Sequence, residues 1–234
     1  MQGQSSEDQT NKFDAVAIVS GGMDSATMLY QLLKSSHVVK ALSFDYGQRH
    51  KKEIQAAQFL CQLNGVEHEV VDLTILRPLL DSSSLTNDSI DVPDGHYSDE
   101  TMKLTVVPNR NMIMLSIAIG HAVRLQADFV AYGAHSGDHA IYPDCREEFA
   151  SAMNVVSMLC DWHKVRLMRP FIDMDKADIA SLGDSLGVPW EHTWTCYKGL
   201  EKHCGTCGSC TERIEAFDLA GVVDPMTRHI TDPD

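Results

Sequence analysis

The chain has 234 residues, of which 44% are apolar, and this predicts one sizeable globular domain with room for a small appendage. Its formal net charge of −14 argues against a general nucleic-acid-binding protein, because phosphate backbones are bound by basic surfaces; local groups can still hold a small anion. The first dozen residues, MQGQSSEDQTNK, lack the apolar core of a secretion signal, and no apolar run reaches the roughly 18 residues of a membrane span, so we expect a cytoplasmic protein.

Short apolar runs typical of buried strands alternate along the chain with longer runs of helical periodicity. The predicted strands are residues 15–19, 38–44, 68–73, 129–134 and 165–170. The predicted helices are residues 26–33, a segment around 54–61, residues 110–125, residues 144–160, a segment around 179–186, and one that begins near Cys210. Strands that alternate with helices predict right-handed crossovers and a doubly wound α/β fold with a mostly parallel sheet.

Polar segments directly follow three of these strands. They read SGGMDS, FDYGQRH and YGAHSGD. Because ligands of such folds bind at the carboxyl ends of the strands, we expect the three segments to form one site. A further polar stretch at residues 81–103 has no clear periodicity, which is typical of a lid, a binding loop or disorder.

The first of these segments, within IVSGGMDSATMLYQLL, has the parts of a phosphate-binding loop: free backbone N–H groups, hydroxyls and a helix N-terminus. Gly21 and Gly22 let N–H groups approach phosphate oxygens without a Cβ in the way, and Ser20 and Ser25 add hydroxyl donors. Asp24 would repel phosphate directly, so we expect it to hold Mg²⁺ or to orient the loop. The alternative is an ordinary turn whose Ser or Asp caps the helix. The loop is not a Walker A loop, since no Gly-Lys pair occurs in the chain.

Lys176 is a second candidate for binding phosphate. The segment DMDKADIASLG predicts a helix start with Asp175 as N-cap and Asp178 three residues later. A lysine in the first turn opposes the helix dipole, which indicates an anion nearby. A solvated surface lysine is the alternative.

Four of the seven cysteines crowd together with the spacing C-x7-C-x2-C-x2-C. They are Cys196, Cys204, Cys207 and Cys210. Four thiolates suit tetrahedral Zn²⁺, and because they complete its shell we predict a structural zinc site. The alternatives are His203 as a ligand, a redox C-x-x-C pair or an iron–sulfur cluster.

These features predict four parts of the chain. Residues 1–13 form a disordered tail, and residues 14–190 form the α/β domain. Residues 191–220 form a small zinc-binding region packed on that domain, and residues 221–234 form a C-terminal tail.

The strand, the S-G-G-x-D-S loop and the following helix resemble the PP-loop of the N-type ATP pyrophosphatase superfamily, whose members cleave ATP between the α- and β-phosphates. Within it the chain is most similar to the 7-cyano-7-deazaguanine synthase (QueC) family of queuosine biosynthesis. The resemblance rests on SGGMDS, FDYGQRH, VVPNRNMIML, YPDCREEF and the four-cysteine segment after T-x-T-C-Y, in order between Ala15 and Phe217. The chain departs from the commonest pattern at YGAHSGDHAIYPDCR, where many members carry a Cys-Glu-Thr-Asp run.

The resemblance implies a fold of the adenine nucleotide alpha hydrolase-like (HUP) type with a small C-terminal zinc knob. It implies a carbon–nitrogen ligase that uses ATP to convert 7-carboxy-7-deazaguanine and ammonia to 7-cyano-7-deazaguanine (preQ0). The intermediates are an adenylated acid and an adenylated amide, and the by-products are AMP and diphosphate. ATP, Mg²⁺ and structural zinc are the implied cofactors. The implied partners are small-molecule substrates and a second copy of the chain in a homodimer, without nucleic acid or membrane.

The resemblance also implies residues for each role. The implied catalytic residues are Asp24, Lys176 and Arg110. The implied nucleotide-binding residues are Val19, Ser20, Gly21, Gly22, Met23, Asp24, Ser25, Ala26, Thr27, Met28 and Leu29. The candidates for the substrate are Asp138, Asp144 and Glu147 at the amino-pyrimidine edge, Arg146 with Arg110 at the carboxylate or phosphates, and Tyr142 for stacking. Arg49, His50 and Lys51 serve the same anions or cover a helix start. For each single residue a surface or capping role is the alternative.

Three other functions remain open from the sequence. The chain is either a PP-loop enzyme that acts on tRNA, or an enzyme that adenylates a deazapurine acid and transfers it to a protein or another amine, or a zinc-dependent binding module on a relic nucleotide fold. The acidic composition argues against the first, and the intact SGGMDS loop argues against the third.

Overall fold

Five parallel strands form the centre of the structure, a computed structural model that describes residues 13–96, 99–138 and 142–226. The strands are β1 (Ala15–Ile18), β2 (Val39–Asp45), β3 (Glu67–Asp72), β4 (Phe129–Ala131) and β5 (Arg166–Met168). They lie in the order β3-β2-β1-β4-β5. The chain therefore winds outward from β1 to β3 and then returns to the other side of β1, which places the topological switch point between β1 and β4.

The central strand β1 is buried on both faces. Ala15 pairs with Val39 of β2 on one side and with Phe129 of β4 on the other. Ala15, Val16 and Ala17 have no exposed surface, which explains why this strand reads as an uninterrupted apolar run. The edge strand β3, with the sequence EHEVVD, is mostly exposed and carries charges along its length.

Two layers of helices cover the sheet. The α-helices are α1 (Met23–Lys34), α2 (Lys52–Leu63), α3 (Asp99–Lys103), α4 (Arg110–Leu125), α5 (Glu147–Leu159), α6 (Lys176–Ser185) and α7 (Gly208–Ala220). Ala15 and Ala17 pack into one apolar cluster with α1, α2, α6 and α7, whereas Val16 packs into a second cluster with α4 and α5. Alternate residues of β1 thus face opposite layers, and the predicted doubly wound α/β fold is confirmed. In the ranges described above, no helix combines the length and the apolar character needed to span a membrane.

The predicted helix at residues 144–160 begins later than expected. A 3-10 turn covers Pro143–Cys145, and α5 starts at Glu147 with Arg146 as its N-cap. The predicted helix near residues 179–186 ends as expected, because Gly187 follows it at φ +76°.

The described part of the polar stretch at residues 81–103 is held against the domain by hydrogen bonds from Arg49. The N–H of Arg49 donates to the carbonyl of Leu85 at 2.9 Å, and the Arg49 guanidinium donates to the carbonyls of Asn87 and Ile90 at 2.8 and 3.1 Å. Leu85 is fully buried, and the stretch ends in α3. Between residues 81 and 96 the chain forms successive turns, so its buried residues are not regularly spaced and the sequence shows no periodicity there.

The predicted tails lie mainly outside the described residues. Residues 1–12 and 227–234 are outside, and Phe13, the first residue described, is buried.

Candidate active site

The glycine loop between β1 and α1 is braced by its own serines. The Oγ of Ser25 accepts the N–H groups of Ser20 and Gly21, both at 3.1 Å, and donates to the carbonyl of Gly22 at 3.2 Å. The Oγ of Ser20 accepts the N–H of Gly22 at 3.3 Å. Gly22 is the N-cap of α1, and no side chain caps this helix. The hydrogen bonds of these two serines brace the loop internally, and the start of α1 lacks the Ser or Asp side-chain cap that the alternative requires.

The two glycines of the loop have different structural roles. Gly21 has φ +91°, and a Cβ there would overlap the carbonyl oxygen of Glu53 and lie 2.7 Å from the nitrogen of Ala57. Gly22 has φ −75°, and the nearest atom to an added Cβ is the Ser20 Oγ at 3.5 Å. Gly21 is thus required for the packing of the loop on α2, in addition to any role in binding phosphate.

We expect Gly21→Ala to lower the free energy of unfolding by about 2–5 kcal/mol, because it adds both backbone strain and overlap with α2. The matched change Gly22→Ala lowers it by less than about 1 kcal/mol, because its backbone conformation and surroundings accept a methyl group. Urea denaturation of both variants measures the difference. Equal losses in the two variants would contradict this explanation.

Two cavities meet at the loop. The first, the strand-end cavity, has a volume of about 190 Å³ and lies at the carboxyl ends of β1, β2 and β4. Its polar lining residues include Ser20, Asp24, Tyr46, His50, Glu53, Arg110, Asn111, Tyr132 and Tyr197. The second, the helix-start cavity, has a volume of about 100 Å³ and lies at the first turns of α1, α6 and α7. Its polar lining residues include Ser20, Asp24, Glu53, Tyr142, Lys176, Thr195, Tyr197, Ser209, Glu212 and Arg213. The cavities share Ser20, Asp24, Glu53 and Tyr197.

Asp24 stands in the wall of both cavities, in the first turn of α1. Its Oδ1 is buried and has no hydrogen-bond partner among the described residues, while its Oδ2 lies 3.8 Å from the Nε2 of His135. A carboxylate oxygen without a hydrogen-bond partner suits a hard cation such as Mg²⁺. The position of Asp24 therefore fits its predicted role as a ligand of Mg²⁺.

Lys176 begins α6, where the predicted capping box is present. The N–H of Asp178 donates to the side chain of Asp175 at 2.8 Å, and the N–H of Asp175 donates to the side chain of Asp178 at 3.1 Å. Lys176 forms an ion pair with Glu212 of α7 and shares the helix-start cavity with the glycine loop. The fold thus brings together a loop and a lysine that lie far apart in the sequence.

Arg110, the first residue of α4, places a positive charge in the strand-end cavity. Burial disfavours this charge, but the neighbouring Tyr46, Tyr197 and Tyr142 hold the pKa of the guanidinium well above its usual value. Burial raises the pKa of Tyr46 to about 12, against the opposing effect of Arg110. Arg110 therefore stays charged at neutral pH beside the neutral phenol of Tyr46, and its charge is available to an anionic ligand.

The fold places only some of the predicted substrate residues at or beside the two cavities. Tyr142 lines the helix-start cavity, with its OH 3.0 Å from the Thr105 Oγ1. Asp144 accepts the N–H of Asn111 at 3.2 Å, beside the strand-end cavity. The side chain of Asp138 lies outside the described part of the structure.

Two other predicted substrate residues line neither cavity. Glu147 accepts two hydrogen bonds from Arg169, at 2.9 and 2.7 Å, and Arg146 is exposed. Their roles stay predictions.

The segments expected from the sequence to form the site include Tyr46 and Tyr132, to which no role was assigned, and both residues line the strand-end cavity. Tyr132 follows β4 directly, and its OH is buried without a hydrogen-bond partner among the described residues. The amide Nδ2 of Asn111 donates to the Sγ of Cys145 at 3.3 Å. Tyr46 directly follows β2 and Tyr132 directly follows β4, and this position is what placed their segments in the predicted site.

The four predicted cysteines form one cluster. All four sulfurs lie within 4.8 Å of one another, and Cys196, Cys207 and Cys210 are fully buried. The Cys204 sulfur accepts the N–H of Cys207 at 3.2 Å, as in a metal-binding turn. Sulfurs around a tetrahedral zinc ion are about 3.8 Å apart, so these cysteines can hold a metal ion with small adjustments. The Nε2 of His203 instead accepts the N–H of Thr195 at 3.2 Å.

Helix α7 connects the cysteine cluster to the candidate active site. It carries Cys210 and, two and three residues later, Glu212 and Arg213, which line the helix-start cavity. Arg213 forms a fully buried pair with Asp224, at 2.8 and 2.9 Å, and donates to the Thr193 Oγ1 at 2.7 Å. Disturbing the cluster would therefore also disturb the wall of the cavity.

Comparisons with known proteins match most of the chain. A family model described as queuosine biosynthesis protein QueC matches residues 14–221. The 7-cyano-7-deazaguanine synthase of Methanoregula boonei is 52% identical over 212 residues, which cover 91% of this chain and 97% of the relative. The 7-cyano-7-deazaguanine synthase of Alteromonas mediterranea is 54% identical over 213 residues, again 91% of this chain and 97% of the relative.

Proposed function

This chain belongs to the QueC family of queuosine biosynthesis proteins, and on that premise we propose that it converts 7-carboxy-7-deazaguanine and ammonia to 7-cyano-7-deazaguanine with ATP. One observation carries the proposal: the glycine loop, Asp24 and Lys176 line one cavity. Backbone N–H groups at a helix start and a lysine form a site for a polyphosphate chain.

The first half of the reaction makes an amide. A carboxylate resists attack by ammonia because it is anionic and lacks a good leaving group. A carboxylate oxygen of the substrate therefore attacks the α-phosphorus of ATP, and the bond to the β-phosphate oxygen breaks and releases diphosphate. Ammonia then forms a C–N bond at the acyl carbon, and AMP leaves with the electron pair of the C–O bond.

The second half repeats the activation on the amide. The amide oxygen attacks the α-phosphorus of a second ATP and again releases diphosphate. The nitrogen then loses its protons, the C–O bond breaks with departure of AMP, and the nitrile forms. One nitrile thus requires two ATP and yields two AMP, and both halves need the α-phosphate close to the reacting oxygen.

We assign the residues as follows. The loop from Ser20 to Ser25 and Lys176 bind the β- and γ-phosphates, and Lys176 exchanges its partner Glu212 for phosphate. Asp24 binds Mg²⁺, which neutralises phosphate charge when bound. Arg110 neutralises the negative charge where the carboxylate meets the α-phosphate. Tyr142 contacts the ring of the substrate.

The metal at the cysteine cluster is proposed to be structural zinc. Four thiolates fill its coordination shell, so no position is open for substrate. Its role is to hold the first turn of α7 beside the helix-start cavity, and no chemical step passes through it.

Homodimer formation and a cytoplasmic location stay predictions. Exposed apolar side chains at the end of α5, including Leu159 and Trp162, are a candidate for the contact between two copies. Size-exclusion chromatography with light scattering gives the oligomeric state.

The function is tested by mass spectrometry of a reaction that contains ATP, Mg²⁺, ammonium and 7-carboxy-7-deazaguanine. We expect the amide to appear first and the nitrile later, with two AMP per nitrile and no ADP. Omitting ammonium should leave the acid unconverted. Release of ADP, or transfer of the acid to another amine without nitrile formation, would contradict the proposal. Consumption of ATP that depends on tRNA would favour the tRNA-modifying alternative.

A further inference from the structure

The strand-end cavity contains a histidine–carboxylate pair that the roles above leave unused. The side chain of His50 is only 2% exposed, and its Nε2 lies 3.4 Å from the Oε2 of Glu53. The Nδ1 of His50 has no hydrogen-bond partner among the described residues, and Nε2 is the ring nitrogen that faces Glu53. Both residues line the strand-end cavity, and Glu53 also lines the helix-start cavity.

The pair is held in place by the segment that follows β2. The Nε2 of Gln48 donates to the Oε1 of Glu53 and to the carbonyl of Phe44, both at 2.9 Å. The Oε1 of Gln48 accepts the N–H of Tyr46 at 2.9 Å. These bonds occupy Oε1 of Glu53 and leave Oε2 facing His50. The carboxylate therefore has one fixed oxygen and one oxygen that can receive a ligand.

The proposed reaction needs a proton acceptor at the nitrogen source. Ammonia is present mainly as ammonium at neutral pH, and ammonium has no lone pair with which to attack carbon. In each half of the reaction the nitrogen must lose two protons. In the amide half, one proton leaves before the C–N bond forms and one leaves afterwards. In the nitrile half, both leave as the C–O bond to AMP breaks. An acceptor beside the reacting carbon would speed all of these transfers.

We propose that Glu53 and His50 form the ammonium-binding and deprotonation site, an inference that rests on the proposed function. The Oε2 of Glu53 receives the ammonium cation as its counter-charge. The proton passes to the Nε2 of His50, and the ammonia left behind attacks the adenylated carbon. His50 releases the proton to water before the next transfer. Glu53 lines both cavities, so an ammonium ion bound to it lies between the glycine loop in the helix-start cavity and Arg110 in the strand-end cavity.

Other titratable groups of the site are less suited to this role. His135 is fully buried and lines neither cavity. Lys176 and Arg110 are cations and would repel ammonium. Asp24 is the proposed ligand of Mg²⁺. Glu53 combines a negative charge, a place in the cavity wall and a histidine within reach.

The test compares wild type with Glu53→Gln, which keeps the shape of the side chain and an acceptor for Gln48. Three rates are measured at pH 7. They are the substrate-dependent exchange of labelled diphosphate into ATP, the formation of amide from ammonium, and the formation of hydroxamate from hydroxylamine. Hydroxylamine is largely uncharged at this pH, so it needs neither a counter-charge nor proton removal before attack.

We expect Glu53→Gln to lower the rate with ammonium by about 10²-fold or more and to raise the KM for ammonium. Exchange and hydroxamate formation should stay within about threefold of wild type. His50→Gln should lower the ammonium rate by about tenfold or more, with the same two rates preserved. The matched control is His37→Gln, which removes the histidine of another pair, with Asp14 at 3.1 Å, at the opposite end of the sheet. It should leave all three rates unchanged.

Two results would overturn this inference. One is an ammonium rate that Glu53→Gln leaves unchanged; the other is an equal loss of all three rates, which would mean that the pair serves adenylation or folding. If His50→Gln does not fold, Glu53→Gln alone decides. Absence of exchange in the wild type is a separate result, because it would refute the proposed function itself.

Discussion

Asp24→Asn is expected to lower the rate of AMP formation by about 10³-fold or more. The carboxylate stands in the wall of both cavities, and its buried Oδ1 has no hydrogen-bond partner among the described residues. Asparagine has nearly the same shape but no charge, so it cannot replace a carboxylate as ligand of Mg²⁺ beside four phosphate charges. The fold should be unaffected, because Asp24 makes no capping hydrogen bond to α1.

The measurement is the release of diphosphate with saturating ATP and substrate at several Mg²⁺ concentrations. Asp14→Asn is the matched control, because it changes a partly buried carboxylate outside both cavities. We expect it to keep the wild-type rate. If Asp24→Asn retains more than about a tenth of the wild-type rate, the metal-binding role is wrong. If the variant is slow at low Mg²⁺ but regains the wild-type rate at high Mg²⁺, Asp24 contributes to the affinity for Mg²⁺ and not to the position of the bound ion.

Cys207→Ser is expected to remove the bound metal and to lower the melting temperature by about 15 °C or more. Cys207 is fully buried, its sulfur belongs to the four-cysteine cluster, and it is the N-cap of α7. Zinc bound by four cysteines contributes roughly 10 kcal/mol in isolated peptides, comparable with the whole stability of a domain. Much of α7 and the buried pair of Arg213 with Asp224 should lose order with the metal.

Metal analysis of the purified protein and thermal melting of both forms measure the effect. Cys160→Ser is the control, because this cysteine is exposed and lies outside the cluster. It should keep the metal and the melting temperature of the wild type. One zinc ion per chain is expected, and iron with visible absorption would favour the iron–sulfur alternative. An unchanged melting temperature in Cys207→Ser would contradict a structural metal.

Much of the fold and part of the candidate site could be predicted from the sequence, since they depend on short-range patterns. The apolar run of β1 indicates a strand buried on both faces, and its alternating residues do face opposite helix layers. The spacing of the four cysteines requires only short turns to bring the sulfurs together, as found. The capping box around Lys176 is a contact between residues three apart, and it is present.

Contacts between distant segments could not be predicted in this way. The sequence pattern makes Lys176 a candidate for binding phosphate, but its place beside the glycine loop depends on how α6 packs around β1. The position of Glu53 behind Gly21 depends in the same way on the packing of α2, and nothing in the sequence indicates it. The role proposed from the sequence for Arg146 stays a prediction. In the structure Arg146 is the exposed N-cap of α5, while Tyr142, four residues earlier, is buried.

The sequence by itself determined the type of fold, the glycine loop, the cysteine cluster and the resemblance to a family, because each is encoded by neighbouring residues. Only the tertiary structure decided which side chains share a cavity. It brought Asp24, Glu53, Arg110 and Lys176 to the carboxyl ends of the strands, where the reversal of strand order between β1 and β4 opens the sheet. That arrangement results from the packing of the helix layers on the sheet, which no local pattern records.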